Sequence, residues 1–399
     1  MRIYSKKVVT LEGVIDAIID VNEEGKIQAI IPNNGTQVDL DYGDYMIMPG
    51  IIDTHNHGCA GYEFETVDEE GLAHCLKAQA ARGVTTIFPT TTNYNQYCLF
   101  NKFIKMDNDG ARIGGIHSEG PWGSRVGEKG INTGYPEVDL EEVKKYIELG
   151  EGQLKLFDIA PEVPRALDAI DYLVDHGVTV SAFHTNATYE EANKGIDHGI
   201  TVATHLFNVM TGLHHRNVGT AGASILRDEV YCELICDGLH VSLPMVELAL
   251  RMKNHNQIMM ISDNVAFAGA PVGKYNGVLF GETEDSDRSE LHVTEEGYVL
   301  SKTGRLTGSG LPVMFGVKNL VQKLHMNIEE VVKMSSANAA RKYGLNTKGT
   351  LSMNKDFDAV VVDEDFNVQA TFVEGRKVYD KDIEEIPFNP EFIKLYKLD

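Results

Sequence analysis

Eight short apolar runs separated by helical patterns constrain this chain more than any other feature. They lie at Gly50–Ile52, Val84–Phe88, Ile113–Ile116, Leu154–Ile159, Val178–Phe183, Ile200–Ala203, Tyr231–Ile235 and Ile258–Ile261. A strand buried on both faces reads as a continuous apolar run, whereas one with a solvent face alternates. Between the runs, segments such as Asp68–Arg82, Leu140–Leu149, Pro164–His176 and Tyr189–His198 place apolar residues at helical spacing. The pattern predicts an α/β fold of parallel βαβ units. Eight units is the count of a closed (β/α)8 TIM barrel; a doubly wound open sheet satisfies the same pattern.

The two ends differ from the middle. Val14–Val21, a turn at Asn22-Glu23-Glu24-Gly25 and Lys26–Ile31 read as a hairpin. Near the other end come Ala359–Val362, Val368–Val373, a turn at Glu374-Gly375, and Lys377-Val378-Tyr379. Two β-rich ends around one long middle predict a small β-sandwich domain formed by both termini, residues 1–48 and 346–399. The catalytic barrel then spans 49–345. A chain of 399 residues is large for one core, so a barrel plus a module is its natural division. Residues 274–305 break the rhythm with a charged stretch at Glu282–Glu290, which predicts a β excursion or flap.

Charge and cysteine usage exclude some functions. A net charge of −23 is the wrong sign for a nucleic-acid surface. It also requires that any anionic substrate be met by a local basic cluster. No run of about 18 apolar residues exists to span a membrane, and no apolar signal core follows the charges of the first residues. The five cysteines (Cys59, Cys75, Cys98, Cys232 and Cys236) are scattered and odd in number, as in a reducing, cytoplasmic setting.

Active sites of such barrels sit at the C-terminal ends of the strands, so the residues following the runs test the barrel reading. They are His55 and His57, Glu119, His184, His205, Asp237 and His240, and Asp263. In His55-Asn56-His57 the imidazoles are two residues apart, and such residues of an extended chain face one side. Each residue has a plainer reading by itself. A His can be a loop hydrogen-bonder, Glu119 can cap the Gly-Pro turn after it, Asp237 can form an Asx-turn and Asp263 can cap a helix. Cys59, His74 and His176 are best read as packed or surface residues. For every other candidate to be bland at once is the improbable case.

The set is chemically coherent. Three imidazole or carboxylate ligands with an open position make a catalytic metal site, which brings the pKa of bound water towards neutrality. Glu119, His184 and His205 form one such set; His55 and His57, sharing Glu119, form a second. This predicts one or two divalent ions per chain, drawn from Zn, Fe, Mn and Co. Asp263 is the candidate general base and acid. A further cluster runs from Thr204 through Asn208 and Val209 to Met210, then Leu213-His214-His215-Arg216. Its Arg suits a phosphate, although a solvated basic loop explains the cluster as well.

Several segments together resemble the N-acetylglucosamine-6-phosphate deacetylase family of the amidohydrolase superfamily. They are Pro49–Gly58, His117-Ser118-Glu119-Gly120-Pro121, Ala160-Pro161-Glu162, His184–Thr188, Thr204–Asn208, Asp237–Val241 and Leu306-Thr307-Gly308-Ser309, with the tail Gly349 to Ala359. The resemblance implies a (β/α)8 barrel with a β-sandwich, and usually a homodimer. It implies Glu119, His184 and His205 as primary metal ligands and Asp263 as proton shuttle. His240 and Asn208 would contact the sugar or its acetamide, Arg216 the phosphate (across a dimer interface in one arrangement), and Leu311 the sugar pocket. The chain departs from the family at Lys129-Gly130-Ile131-Asn132, at Ser262-Asp263-Asn264 and in residues 274–305.

The expected function is metal-dependent removal of the acetyl group from N-acetylglucosamine 6-phosphate, a small-molecule phosphorylated amino sugar. The alternatives are a related N-acetylhexosamine such as the galactosamine epimer, another N-acyl or cyclic amide, and a non-catalytic sugar-phosphate binding protein. The complete ligand set and Asp263 speak against the last, which has no need of a proton shuttle.

Overall fold

The computed structural model describes residues 1–126, 131–132, 137–277 and 286–398. Within them the eight runs become eight strands: β1 (Ile51–Asn56), β2 (Val84–Pro89), β3 (Ile116–Ser118), β4 (Leu154–Ile159), β5 (Thr179–Ala182), β6 (Ile200–Ala203), β7 (Tyr231–Ile235) and β8 (Ile258–Ile261). Strands β3 to β8 form one parallel sheet in chain order, and β1 pairs with β2 in another. Single parallel bridges connect the two sheets. Thr90↔His117 joins the end of β2 to β3, and Asn56↔Asn264 joins β1 to the residues following β8. The arrangement is TIM-barrel-like. The third run is the one displaced: Arg112–Ile113 pairs beside β2, and β3 starts only after Gly114-Gly115.

The helices form where local chemistry starts and stops them. Glu69–Ala80 begins at Asp68, whose carboxylate accepts from Gly71 N. Tyr189–His198 begins with a reciprocal capping box. The Thr188 hydroxyl accepts from Glu191 N at 3.2 Å, and Thr188 N donates to the Glu191 carboxylate at 2.8 Å. No helix of the described residues is long and apolar enough to cross a membrane.

The barrel interior is layered. In one apolar cluster, Ile52, Phe88, Leu156, Val202 and Met259 of the strands pack with Ala339, Ala340 and Tyr343. Further along, the interior turns polar: Thr54, His55, Asp158, Thr204, Glu233 and Ser262 are all buried.

Both termini contribute to one eight-stranded sheet, which hydrogen-bonds as a single unit. Its path runs Arg376–Asp380, Val368–Val373, Ala359–Val362, Met46–Pro49, Arg2–Thr10, Gly13–Val21, Ile27–Pro32, and the eighth strand, Leu40–Asp41, pairs parallel with Arg2–Thr10 off this path. Met46–Pro49 is the seam. It pairs antiparallel with Ala359–Val362 and parallel with Arg2–Thr10, and the chain enters β1 two residues later. The turns read from Gly25 and Gly375 pack back to back; a Cβ on Gly25 would stand 2.0 Å from the Glu374 carbonyl oxygen. Glycine is required there by the close approach as well as by its φ of +77°.

The final residues leave that sheet, which the sequence did not predict. Pro390–Tyr396 is helical, and Lys397–Leu398 pairs with Gly273–Asn276 of the excursion. With Glu290–Val293 and Val299–Ser301 these strands make a small four-stranded antiparallel sheet. The charged residues 282–285 and the Lys129-Gly130 pair lie outside the described residues.

Candidate active site

The strand ends bring seven of the predicted residues around one cleft of about 670 Å³: His57, Glu119, His184, His205, His240 and Asp263 line it, with His55 directly behind. The approach is close. Glu119 Oε1 stands 3.1 Å from His205 Nε2, 3.6 Å from His184 Nε2 and 3.6 Å from His55 Nε2. Its other oxygen is 3.2 Å from His57 Nε2. Asp263 Oδ1 is 3.4 Å from the Nε2 atoms of both His55 and His57. Among the described residues three sets fall within coordinating reach of one another: His55 with His57 and Glu119, Glu119 with His184 and His205, and, deeper, His55 with His117 and Asp158.

Three of these residues hold backbone conformations that side chains ordinarily avoid. His184 has φ +37°, His205 +35° and Asp263 +54°; Phe207 and Val209 follow at +78° and +49°. Such left-handed residues cost of order 1–3 kcal/mol each and persist only where the surroundings hold them. Here parallel barrel loops hold them: Asp263 N donates to His55 O at 3.0 Å, Ser309 N donates to Asp263 O at 2.9 Å, and Thr185 N donates to Val209 O at 3.0 Å. The sharp turn at each strand end aims the side chain inward.

The electrostatics are those of a site that accepts positive charge. Burial opposes protonation of His57, yet the facing Asp263 and Glu119 carboxylates outweigh it and lift its pKa to about 10. Burial works against ionising Asp263 and Glu119, but the surrounding imidazoles hold both well below the usual carboxylate range. Burial takes His184 down to about 4. The Nε2 atoms of His55 and His57 face each other at 3.1 Å. Two imidazole lone pairs that close repel unless a proton or cation lies between them. A donor set of imidazoles around a shared carboxylate therefore fits a divalent metal ion.

Beneath this set is a second polar layer. His117 points Nδ1 at Thr54 O at 2.9 Å and Nε2 at Asp158 Oδ2 at 2.9 Å. Thr54 Oγ1 donates to Glu233 Oε1 at 2.5 Å, and Glu233 Oε2 is 3.8 Å from His55 Nδ1. Burial presses the pKa of His117 down to about 3 and raises that of Asp158 well above the carboxylate range. None of these residues was singled out from sequence, although the signal was present. Asp158 and Glu233 are carboxylates inside otherwise apolar strands, where an ionisable group needs a partner.

His240 is oriented from behind. Its Nδ1 is 2.6 Å from Asp237 Oδ2, while Asp237 Oδ1 accepts from the backbone N–H groups of Leu239 and His240, both at 2.8 Å. The ring is thus fixed against the cleft wall, with Nε2 as its remaining polar atom. Burial opposes its protonation, but Asp237 leaves its pKa raised.

Other expected residues fall into two groups. Asn208 and Val209 line the cleft. His215 and Arg216 do not: both are exposed, on a turn closed by the His214↔Asn217 bridge. Leu311 is buried and borders neighbouring cavities rather than the cleft, whose wall is made by Leu306, Thr307 and Gly308. The cations that do line the cleft are Arg125, Arg288 and Arg305. Half-buried Glu63, whose pKa desolvation raises to about 7, also lies there.

Known proteins of one family resemble this chain. The profile of the amidohydrolase family matches residues 46–378. The N-acetylglucosamine-6-phosphate deacetylase of Lysinibacillus sphaericus is 35% identical over 365 residues, covering 89% of this chain and 91% of its own. The N-acetylgalactosamine-6-phosphate deacetylase of Escherichia coli O157:H7 is 30% identical, covering 93% of this chain and 97% of its own. A mutant N-acetyl-D-glucosamine-6-phosphate deacetylase from Mycobacterium smegmatis, solved with N-acetyl-D-glucosamine-6-phosphate, superposes with a TM-score of 0.84 at 27% identity. The match covers 95% of this chain and 99% of that one.

Proposed function

The chain belongs to the amidohydrolase family, and we propose that it removes the acetyl group from N-acetylglucosamine 6-phosphate, giving glucosamine 6-phosphate and acetate. One observation carries the chemistry: the Asp263 carboxylate stands 3.4 Å from two imidazoles, in the same cleft as the Glu119 set and His240. Relatives that share most of the chain's length at 30–35% identity carry the substrate class.

Glu119, His184 and His205 would hold one divalent ion; His55 and His57, with Glu119, would hold a second. An ion there supplies Lewis acidity, which eases deprotonation of water and polarises an amide carbonyl. The side chains do the rest. Asp263, held ionised by the neighbouring imidazoles, takes a proton from the attacking water and returns it to the departing amine nitrogen. The His240 Nε2–H donates to the carbonyl oxygen as negative charge builds on it. Asp237 keeps the ring in the tautomer able to do so. Asn208 and Val209 border the space for the sugar.

The same reading takes the chain as a (β/α)8 barrel over 49–345 with a β-sandwich from 1–48 and 346–399, working as a cytoplasmic homodimer. Five cysteines without disulfides support the compartment. His215 and Arg216 lie outside the cleft of their own chain, so they could reach a substrate only from a second copy. The galactosamine epimer is a second reading, favoured by the Escherichia coli relative. Acetate release from N-acetylglucosamine and N-acetylgalactosamine, each with and without a 6-phosphate, tests both. Turnover of neither phosphorylated sugar by metal-loaded protein overturns the proposal.

A further inference from the structure

Glu233 stands in the middle of β7, between Cys232 and Leu234, and no part of it reaches solvent. A buried carboxylate needs partners for both oxygens. Oε1 has one, since Thr54 Oγ1 donates to it at 2.5 Å. Oε2 accepts no hydrogen bond among the described residues. Its ion-pair contact there is His55 Nδ1, at 3.8 Å.

His55 has the same asymmetry. Its Nε2 faces the cleft, 3.1 Å from His57 Nε2 and 3.6 Å from Glu119 Oε1. Its Nδ1 is buried and makes no hydrogen bond among the described residues. Two buried polar atoms, each lacking a hydrogen-bond partner, therefore stand opposite each other. They need approach by only about 0.9 Å to reach the usual N–H···O length, a side-chain adjustment. His117 braces the ring edge-on, with centroids 4.7 Å apart and planes at 85°. Thr54 serves both neighbours of His55: its hydroxyl holds Glu233, and its carbonyl oxygen holds His117 Nδ1 at 2.9 Å.

Imidazole chemistry gives Glu233 a task. A neutral imidazole carries its hydrogen on one nitrogen and a lone pair on the other. His55 can join His57 and Glu119 in holding a cation only with the lone pair on Nε2 and the hydrogen on Nδ1. A carboxylate oxygen accepts a hydrogen bond and donates none, so Glu233 opposite Nδ1 favours that tautomer. The carboxylates paired with His57, His184 and His205 approach Nε2 on the cleft side. Among these four imidazoles of the described residues, His55 is the one that also meets a carboxylate at Nδ1.

We infer that Glu233 is a positioning residue for the second ion: it holds His55 in the Nδ1–H tautomer and so sets the affinity of the His55–His57–Glu119 set, leaving the Glu119–His184–His205 set unaffected. The inference rests on the two-ion reading above. Calorimetric titration of the metal-free protein with zinc would measure both affinities in wild type, Glu233→Gln, Glu233→Ala and Thr54→Val. The step missing from His57→Ala identifies the second ion. Glu233→Gln is expected to weaken that step by about 10-fold and Glu233→Ala by about 100-fold, with the other step within about threefold of wild type. Thr54→Val, which frees Oε1 but keeps the carboxylate, should fall between wild type and Glu233→Gln. The near-isosteric Gln and Val variants keep the test within folded protein, and unfolding temperatures of the metal-free forms report structural damage separately. Equal weakening of both steps, or wild-type affinities in Glu233→Gln and Thr54→Val, would overturn the inference. A single step in wild type would overturn the two-ion reading, and the inference with it.

Discussion

The Nε2 atoms of His55 and His57 stand 3.1 Å apart, and each is 3.4 Å from the same oxygen of Asp263. Asn56 between them turns its side chain away, donating to Asp53 at 3.0 Å and to Ser262 Oγ at 3.1 Å. Strand alternation thus turns two imidazoles towards Asp263, His57 in the cleft wall and His55 behind it, and one amide into the barrel wall. The geometry separates a ligand set that includes this pair from one that does without it.

Metal content should follow that separation. Wild type is expected to hold two divalent ions per chain and His57→Ala one, by elemental analysis after exhaustive dialysis. Chelation should abolish acetate release, and a divalent ion should restore it. A single ion in wild type at saturating metal would make the pair substrate-orienting or structural.

Asp263→Asn preserves shape and hydrogen bonding but cannot accept the proton. Its kcat should fall by about 10²- to 10⁴-fold, with metal content unchanged. Turnover near the wild-type rate would remove Asp263 from the chemistry.

Asp237 acts through His240, 2.6 Å away. Asp237→Asn should lower kcat by about 10- to 100-fold, the usual cost of removing a partner that orients a working imidazole, and change KM less. Equal losses in kcat and folded fraction would point instead to the turn that its other oxygen caps.

Lys342 predicts how stability varies with pH. Burial brings its pKa down from 10.5 to about 8, while Nζ donates to Thr201 Oγ1 at 2.6 Å and faces the Tyr231 ring. A lowered folded pKa means that the unfolded chain binds more protons between about pH 8 and 10.5. This group's contribution to stability therefore rises with pH across that window, by up to about 1.4 kcal/mol per unit. Below pH 8 the cost is fully present. Urea unfolding of Lys342→Met against wild type should show the difference moving in the variant's favour at pH 7–8 and fading towards pH 10.5. A difference independent of pH would refute the burial argument.

Much of the fold was readable because burial imposes sequence pattern. The runs Leu154–Ile159, Ile200–Ala203, Tyr231–Ile235 and Ile258–Ile261 became β4, β6, β7 and β8 with the same ends, since strands covered on both faces tolerate little but apolar residues. The third run was harder. Gly114-Gly115 lets the chain step from a bridge beside β2 into β3, and periodicity does not register such a step. The tail was illegible for a related reason. Lys397–Leu398 is too short to show a period, and only its partner Gly273–Asn276 makes it a strand.

By itself the sequence determined the order of elements, the residues available at each strand end, and the family, because these depend on local pattern and residue identity. Tertiary structure decided which of those residues meet. It turned His184, His205 and Asp263 inward through left-handed backbone that no local signal marks. It placed His117, Asp158 and Glu233 behind the site, left Arg216 outside it, and brought Arg288 and Arg305 in. Those outcomes depend on contacts between residues far apart in sequence. A closed barrel creates them by bringing its strand ends around one axis, which no single segment of the chain encodes.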